Sequence, residues 1–128
     1  MKVLVVDDEL PICELLDEFL SEQGHEVSTA TNGEEALLVF EKEAPQMVLL
    51  DIKMPGMDGM EVLRRIKEID SDSGVIMISA FGDTSTVQEA LQKGAYHYME
   101  KPIELMQLHE LILDWEQAQG NGAFNVPS

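Results

Sequence analysis

The chain has 128 residues, 45% of them apolar, and a formal net charge of −17 at pH 7, which indicates one folded domain rather than intrinsic disorder. A surface this acidic repels phosphate backbones and anionic lipid, so we expect no direct binding to nucleic acid or membrane. The single cysteine, Cys13, cannot form an internal disulfide, and with neither a signal-peptide pattern nor an apolar run of roughly 20 residues the sequence predicts a cytoplasmic protein.

Residues 1–50 predict, in order, a strand, a helix, a second strand, a second helix and a third strand. The first run, KVLVV at 2–6, is nearly all apolar, as expected of a strand buried on both faces of a parallel sheet. Apolar side chains then recur every three or four positions at 10–23, which predicts a helix with Pro11 in its first turn and Gly24 at its stop. The remaining elements are a strand at 25–30, a helix that buries Ala36, Leu37 and Phe40, and a strand at 47–50.

The second half of the chain repeats the alternation. MPGMDG at 54–59 contains two glycines and a proline, and therefore predicts a loop. The elements after it are a helix that buries Val62, Leu63 and Ile66, a strand at 75–78, a helix at 84–93, a strand at 96–99 and a helix that buries Leu105, Leu108, Leu111, Ile112 and Trp115. These β–α units predict an α/β fold, a doubly wound five-stranded parallel sheet with five helices. From Gln119 the periodicity stops, so we expect a domain at 1–118 and, at 119–128, a flexible tail or the start of a linker to an absent output domain.

Polar side chains from four separated segments follow the predicted strands, at the sheet edge where such folds bind ligands. These side chains are Asp7, Asp8 and Glu9 after the first strand, Asp51 after the third, Ser79 after the fourth, and Glu100 and Lys101 after the fifth. Acidic residues after a strand often cap the next helix, and for Asp7 and Asp8 alone that interpretation stays open. It does not account for Asp51, which is followed by IKMP rather than by a helix start.

Crowded carboxylates predict a cation site. Two unit charges about 4 Å apart repel by roughly 4 kcal/mol at an effective dielectric near 20. Oxygen ligands without Cys or His favour Mg²⁺, Mn²⁺ or Ca²⁺ over zinc. Mg²⁺ leaves coordination positions for phosphate oxygens, and Lys101 adds a second positive group, so the residues predict a phosphoryl-handling site.

Several fragments, in their order and spacing, resemble the receiver domains of two-component response regulators. They are VLVVDDE at 3–9, NGEEAL at 32–37, VLLDIKMPGMDG at 48–59, IMISA at 76–80 and GAYHYMEKP at 94–102. The resemblance covers residues 1–117 and implies the flavodoxin-like strand order 2-1-3-4-5.

The resemblance also implies a phosphorylation site. Asp51 would be the phospho-acceptor, attacking the phosphohistidine of a histidine kinase or a histidine phosphotransfer protein. Asp8, Asp51 and the main-chain carbonyl of Lys53 would bind Mg²⁺ directly, with Asp7 acting through a water and Mn²⁺ as the alternative ion. Lys101 would pair with the phosphoryl group.

The same resemblance implies a switch that reads the phosphoryl group. The Ser79 hydroxyl would hydrogen-bond to it, and Tyr98 would turn inward and carry the change to the surface of the fourth helix, fifth strand and fifth helix. The Lys101–Pro102 peptide bond would be cis. In the family, Lys53 and Phe81 flank the path of the hydrolytic water, so we expect slow self-dephosphorylation.

The resemblance implies that the downstream partner would be an output domain or a separate protein. Receivers that dimerise ahead of winged-helix DNA-binding domains usually carry a basic–acidic network on the last helix, and residues 104–119 contain no Lys or Arg. We therefore expect a monomer or a weak phosphorylation-dependent dimer. The fragment GDTSTVQEALQKGAYHYMEKP is more similar to receivers that stand alone in phosphorelays or precede an ATPase-type activator.

Two other functions compete with this interpretation. A haloacid-dehalogenase-type phosphatase needs a second aspartate two residues after its nucleophile, and Lys53 stands there, so we expect self-catalysed phosphoryl transfer and not an enzyme. The remaining alternative is a receiver-like protein-interaction scaffold that is never phosphorylated. A nucleotide-binding module is excluded because neither GxxxxGK[ST] nor GxGxxG is present.

Overall fold

Five strands and five helices alternate along the chain. The computed structural model describes residues 1–80 and 84–124. The elements are β1 (Lys2–Val6), α1 (Leu10–Glu22), β2 (Glu26–Ala30), α2 (Gly33–Glu43), β3 (Met47–Asp51), α3 (Gly59–Ile69), β4 (Gly74–Ser79), α4 (Thr84–Gln92), β5 (His97–Glu100) and α5 (Leu105–Phe124). The strands form one parallel sheet in the order β2-β1-β3-β4-β5, which confirms the predicted fold.

Two apolar layers hold the helices against the two faces of the sheet. Alternate strand residues point to opposite faces, so neighbours along one strand belong to different layers. Leu4 and Leu50 pack with α2, α3 and α4, whereas Val5 and Leu49 pack with α1 and α5. Every residue of β3 is buried, as expected of the central strand. This double cover leaves the carboxyl ends of the strands as the edge where polar groups collect.

Helix α5 is longer than the sequence predicted. The helical periodicity of the sequence stops at Gln119, but the helix continues to Phe124, so the backbone at 119–124 is helical. Glu116, Gln117 and Ala118 are good helix formers, which accounts for continuation past the boundary, although the glycines at 120 and 122 do not favour it. Residues 125–128 of the predicted tail lie outside the described residues.

Gly59 allows α3 to begin directly against the end of β3. A Cβ atom at this position would lie 2.2 Å from the carbonyl oxygen of Asp51 and 2.7 Å from the Cα of Ile52. The Gly59 N–H donates to the Ile52 carbonyl at 2.8 Å, and the Asp58 side chain caps the helix by accepting from the Glu61 N–H. The loop between β3 and α3 is thereby closed onto the strand that carries Asp51.

We expect Gly59→Ala to destabilise the protein by about 3 kcal/mol, because the atoms in the way belong to the backbone and cannot move aside as a side chain can. Urea unfolding measures this loss. Gly56→Ala is the control in the same loop: a Cβ there meets nothing within 4 Å, and its φ of +78° costs about 1 kcal/mol. Equal losses in the two variants would contradict the close approach.

Candidate functional site

Three carboxylates meet at the carboxyl edge of the sheet. Asp7 follows β1, and Asp51 is the last residue of β3; both are buried, whereas Asp8 is exposed. Carboxylate oxygens of these three residues all lie within 4.8 Å of one another. The structure therefore brings together the acidic cluster that the sequence predicted.

Lys101 inserts its ammonium group into this cluster. Its Nζ lies 2.9 Å from Asp7 Oδ2, 3.3 Å from Asp51 Oδ2 and 3.4 Å from Glu9 Oε2. The main chain of Lys101 is fixed to β4, because its N–H donates to the Ser79 carbonyl at 3.0 Å. The peptide bond from Lys101 to Pro102 is cis, as the resemblance implied. One cation thus contacts acidic groups at the carboxyl ends of two different strands, β1 and β3.

The buried carboxylates also shape the loops that follow them. Asp7 Oδ1 accepts the N–H of Glu9 at 2.8 Å, and Asp51 Oδ1 accepts the N–H of Lys53 at 3.2 Å. The N-cap residue of α1 is Glu9, and the start of this helix is not capped by a side-chain hydrogen bond. The helix-cap interpretation that the sequence left open for Asp7 and Asp8 therefore fails.

Burial makes the ionised form of Asp51 costly. Desolvation and the neighbouring charge of Asp7 raise the pKa of Asp51 to about 6, although Lys101 opposes the shift. Burial tends to lower the pKa of Lys101, but its contacts with Asp7 and Asp51 outweigh this and raise the pKa. One ammonium therefore faces more acidic groups than it can neutralise, and the site favours a further cation.

The donor set fits a hard divalent ion. The three clustered residues offer carboxylate oxygens alone, which are the ligands that Mg²⁺ prefers and which suit zinc poorly. A cavity of about 190 Å³ opens beside them. Its lining residues are Asp8, Glu9, Asp51, Lys53, Ser79, Ala80 and Lys101. The cavity therefore places free volume next to both the acidic cluster and the lysine.

The remaining predicted site residues lie around this cavity. Ser79 is the last residue of β4 and is fully buried, whereas Lys53 is exposed at the rim. Tyr98, in β5, is partly buried and packs against the layer under α2, α3 and α4. Glu100 is exposed. Phe81, predicted to tune dephosphorylation, lies outside the described residues.

Two residues important for the geometry had been given no role from the sequence. Glu9 contacts Lys101, and Gly59 makes room for the end of β3. The signal for Glu9 was its place directly after two aspartates, but sequence position does not fix the direction of a long exposed side chain. The close approach of Gly59 depends on tertiary contacts and has no local signal.

Comparison with known proteins decides the family. The family model described as the response regulator receiver domain matches residues 3–113. The chain belongs to this family. In this receiver domain, two aspartates after β1, an aspartate at the end of β3 and a lysine after β5 therefore lie together at one edge of the sheet. No helix in the described part of this receiver domain is long and apolar enough to span a membrane.

Individual relatives agree with the assignment. The receiver domain is 38% identical over 120 residues to sporulation initiation phosphotransferase F of Bacillus subtilis, covering 94% of this chain and 97% of that protein. It superposes on a CheY-like receiver from Methanospirillum hungatei with a TM-score of 0.89 at 28% identity, covering 94% and 97% of the two chains. Against a CheY in a CheX–CheY–BeF3–Mg complex from Borrelia burgdorferi the TM-score is 0.85 at 34% identity, covering 89% and 87%. Other relatives are longer, and this chain spans less than half of their length.

Proposed function

We propose that this response regulator receiver domain is a phosphorylation-activated switch of a two-component system or phosphorelay. Asp51 would accept a phosphoryl group from the phosphohistidine of a histidine kinase or histidine phosphotransfer protein. The observation that carries the proposal is the convergence on buried Asp51 of two further carboxylates and the Lys101 ammonium beside an open cavity. A nearly full-length relative named as a phosphotransferase supports it.

Asp8, Asp51 and the main-chain carbonyl of Lys53 would hold Mg²⁺, with Asp7 acting through a water. When bound, the ion supplies positive charge to the phosphoryl oxygens. The carboxylate cluster supports this assignment, as does the magnesium in the related complex from Borrelia burgdorferi. Mn²⁺, which takes the same oxygen ligands, is the alternative ion.

The transfer itself needs a nucleophile and charge neutralisation. An Asp51 carboxylate oxygen would attack phosphorus, the P–N bond would break, and its electron pair would stay with the departing imidazole. Lys101 would turn from the carboxylates to the phosphoryl group, and the Ser79 hydroxyl at the cavity wall would donate to it. Phosphoryl transfer depends mainly on such positioning and neutralisation, which these side chains can provide without further covalent chemistry.

The phosphoryl group would be read through β4 and β5. Ser79 in β4 pairs with Glu100 in β5, and Met77 pairs with Tyr98. Tyr98 therefore lies two residues along β5 from the partner of Ser79, close enough for a movement of Ser79 to reach it. We propose that Ser79 and Tyr98 shift the population of the surface formed by α4, β5 and α5. That surface would bind an output domain or a separate protein in the cytoplasm.

The bound state of the switch can be tested with beryllofluoride, a non-covalent mimic of the phosphoryl group. With Mg²⁺, we expect amide NMR shifts at Asp51 and Ser79 and along α4, β5 and α5. Asp51→Asn is the matched control and should show none. Shifts confined to the site would contradict the relay, and equal shifts in Asp51→Asn would contradict the acceptor.

Hydrolysis of the phosphoryl group on Asp51 should be slow because Lys53 hinders the attacking water. This lysine stands at the rim of the cavity, two residues past the acceptor, where a long cation hinders the approach of water. We expect Lys53→Ala to speed the decay of the phosphorylated protein several-fold, as measured by the loss of phosphoryl mass with time. Lys42→Ala, an exposed lysine on α2, is the control. An unchanged decay rate in both Lys53→Ala and Phe81→Ala would contradict the prediction.

A further inference from the structure

Glu9 is the outermost of the acidic groups around Lys101. Its Oε2 lies 3.4 Å from Lys101 Nζ, and its side chain is 59% exposed, whereas those of Asp7 and Asp51 are 4% and 5% exposed. Glu9 also lines the cavity beside Asp51. The cavity beside the acceptor is therefore lined by an exposed carboxylate that also contacts Lys101.

The Glu9 side chain has no structural role in the start of α1. The residue is the N-cap of that helix, yet no side-chain hydrogen bond caps it. Its main chain stabilises the start of the helix, because the Glu9 N–H donates to Asp7 and the Glu9 carbonyl accepts from the N–H groups of Ile12 and Cys13. A glutamine at this position keeps those main-chain bonds and removes only the charge.

We propose that Glu9 determines which small phosphodonors the site accepts, by repelling dianions more strongly than monoanions. The inference rests on the proposed function of Asp51. The same reaction occurs with acetyl phosphate: an Asp51 oxygen attacks phosphorus, the P–O bond to the acetyl group breaks, and acetate leaves with the electron pair. Only the approach of the donor depends on Glu9.

Donors of different charge distinguish repulsion by Glu9 from a general effect of the substitution on the reactivity of the site. Acetyl phosphate is a dianion at neutral pH, whereas phosphoramidate carries a net charge of minus one. Repulsion between separated charges scales with their product, so removal of the Glu9 charge should help the dianion more. Across a small cavity and in high dielectric, removal of the Glu9 charge should raise the rate of phosphorylation by acetyl phosphate about three- to tenfold.

The test compares second-order rate constants of phosphorylation by the two donors at saturating Mg²⁺, followed by intact-protein mass. Glu9→Gln should accelerate acetyl phosphate about three- to tenfold and phosphoramidate only about two- to threefold, because half the repulsion energy gives the square root of the fold-change. Glu9→Asp should remain as slow as wild type with the dianion. Glu18→Gln is the matched control, because it makes the same charge change at an exposed position of α1, about 13 Å along the helix from the Glu9 N-cap. It should leave both rates unchanged.

Three results would overturn the inference. They are an unchanged or lower acetyl phosphate rate in Glu9→Gln, an equal acceleration with both donors, and an equal acceleration in Glu18→Gln. If neither donor phosphorylates the wild-type protein, the proposed function fails and this inference fails with it. If the wild type is phosphorylated and Glu9→Gln is phosphorylated at the same rates, only the role of Glu9 is overturned.

Discussion

Replacing Lys101 by methionine should lower the free energy of unfolding in metal-free buffer at pH 7 by about 2–4 kcal/mol. The ammonium lies 2.9 Å from Asp7 and 3.3 Å from Asp51, and its removal leaves both buried carboxylates without their cation. Methionine keeps most of the length of the side chain, so the loss reports on charge rather than on packing. Denaturant unfolding in the presence of a chelator measures it.

Mg²⁺ should reverse most of this loss, because a divalent ion in the carboxylate cluster would replace the missing positive charge. Stabilisation by Mg²⁺ should therefore be larger in Lys101→Met than in wild type. Lys93→Met is the control: Lys93 forms an exposed pair with Glu89 at 3.8 Å, which is worth less than about 1 kcal/mol. A Lys101→Met loss no greater than that of Lys93→Met would contradict the electrostatic account of the site.

Asp51→Asn should stabilise the metal-free protein at pH 7 to 8, by about 1–3 kcal/mol. Burial, together with the charge of Asp7, raises the pKa of Asp51 to about 6, against about 3.9 in an unfolded chain. At pH 7 to 8, above the pKa of Asp51 in the folded state, the folded state bears nearly the full cost of an ionised buried carboxylate. An asparagine amide of nearly the same shape removes that cost.

The pH dependence of this gain follows from the same shift. Between about pH 4 and pH 6 the folded state binds more protons at Asp51 than the unfolded state, so its destabilising effect fades as the pH falls. The advantage of Asp51→Asn over wild type should therefore shrink through pH 6 and vanish near pH 4. Asp114→Asn, the same change at an exposed position on α5, should alter stability little at any of these pH values. A gain that does not vary with pH would contradict the assigned cause.

Much of the fold could be predicted from the sequence because β1, β3 and β4 are short apolar runs that end at polar residues, whereas β2 and β5 are mixed in composition. β1 was predicted at its observed bounds, Lys2–Val6, since Asp7 ends the apolar run abruptly. Parallel strands bring their carboxyl ends to one edge, which is why residues as distant as Asp8, Asp51 and Lys101 could be predicted to meet. The end of α5 was not predicted, because glycines at 120 and 122 give no sequence signal for helix.

The finer geometry of the site depends on side-chain directions, and no sequence pattern specifies those. Lys101 lies closer to Asp7 than to Asp51, and it also contacts Glu9. Which of several acidic groups pairs with one cation depends on tenths of an ångström of backbone position. The close approach at Gly59, where an added Cβ would lie 2.2 Å from the Asp51 carbonyl oxygen, likewise arises only when α3 packs against β3.

The measurement that most directly tests the central claim is the intact mass of the protein after incubation with acetyl phosphate. Wild type and Asp51→Asn are compared, each with Mg²⁺ and with a chelator. We predict that wild type gains the mass of one phosphoryl group only when Mg²⁺ is present, and that Asp51→Asn gains none. An equal gain in Asp51→Asn, or in wild type with the chelator, would contradict a magnesium-dependent acceptor at Asp51. No gain in any sample would instead favour a receiver-like scaffold that is never phosphorylated.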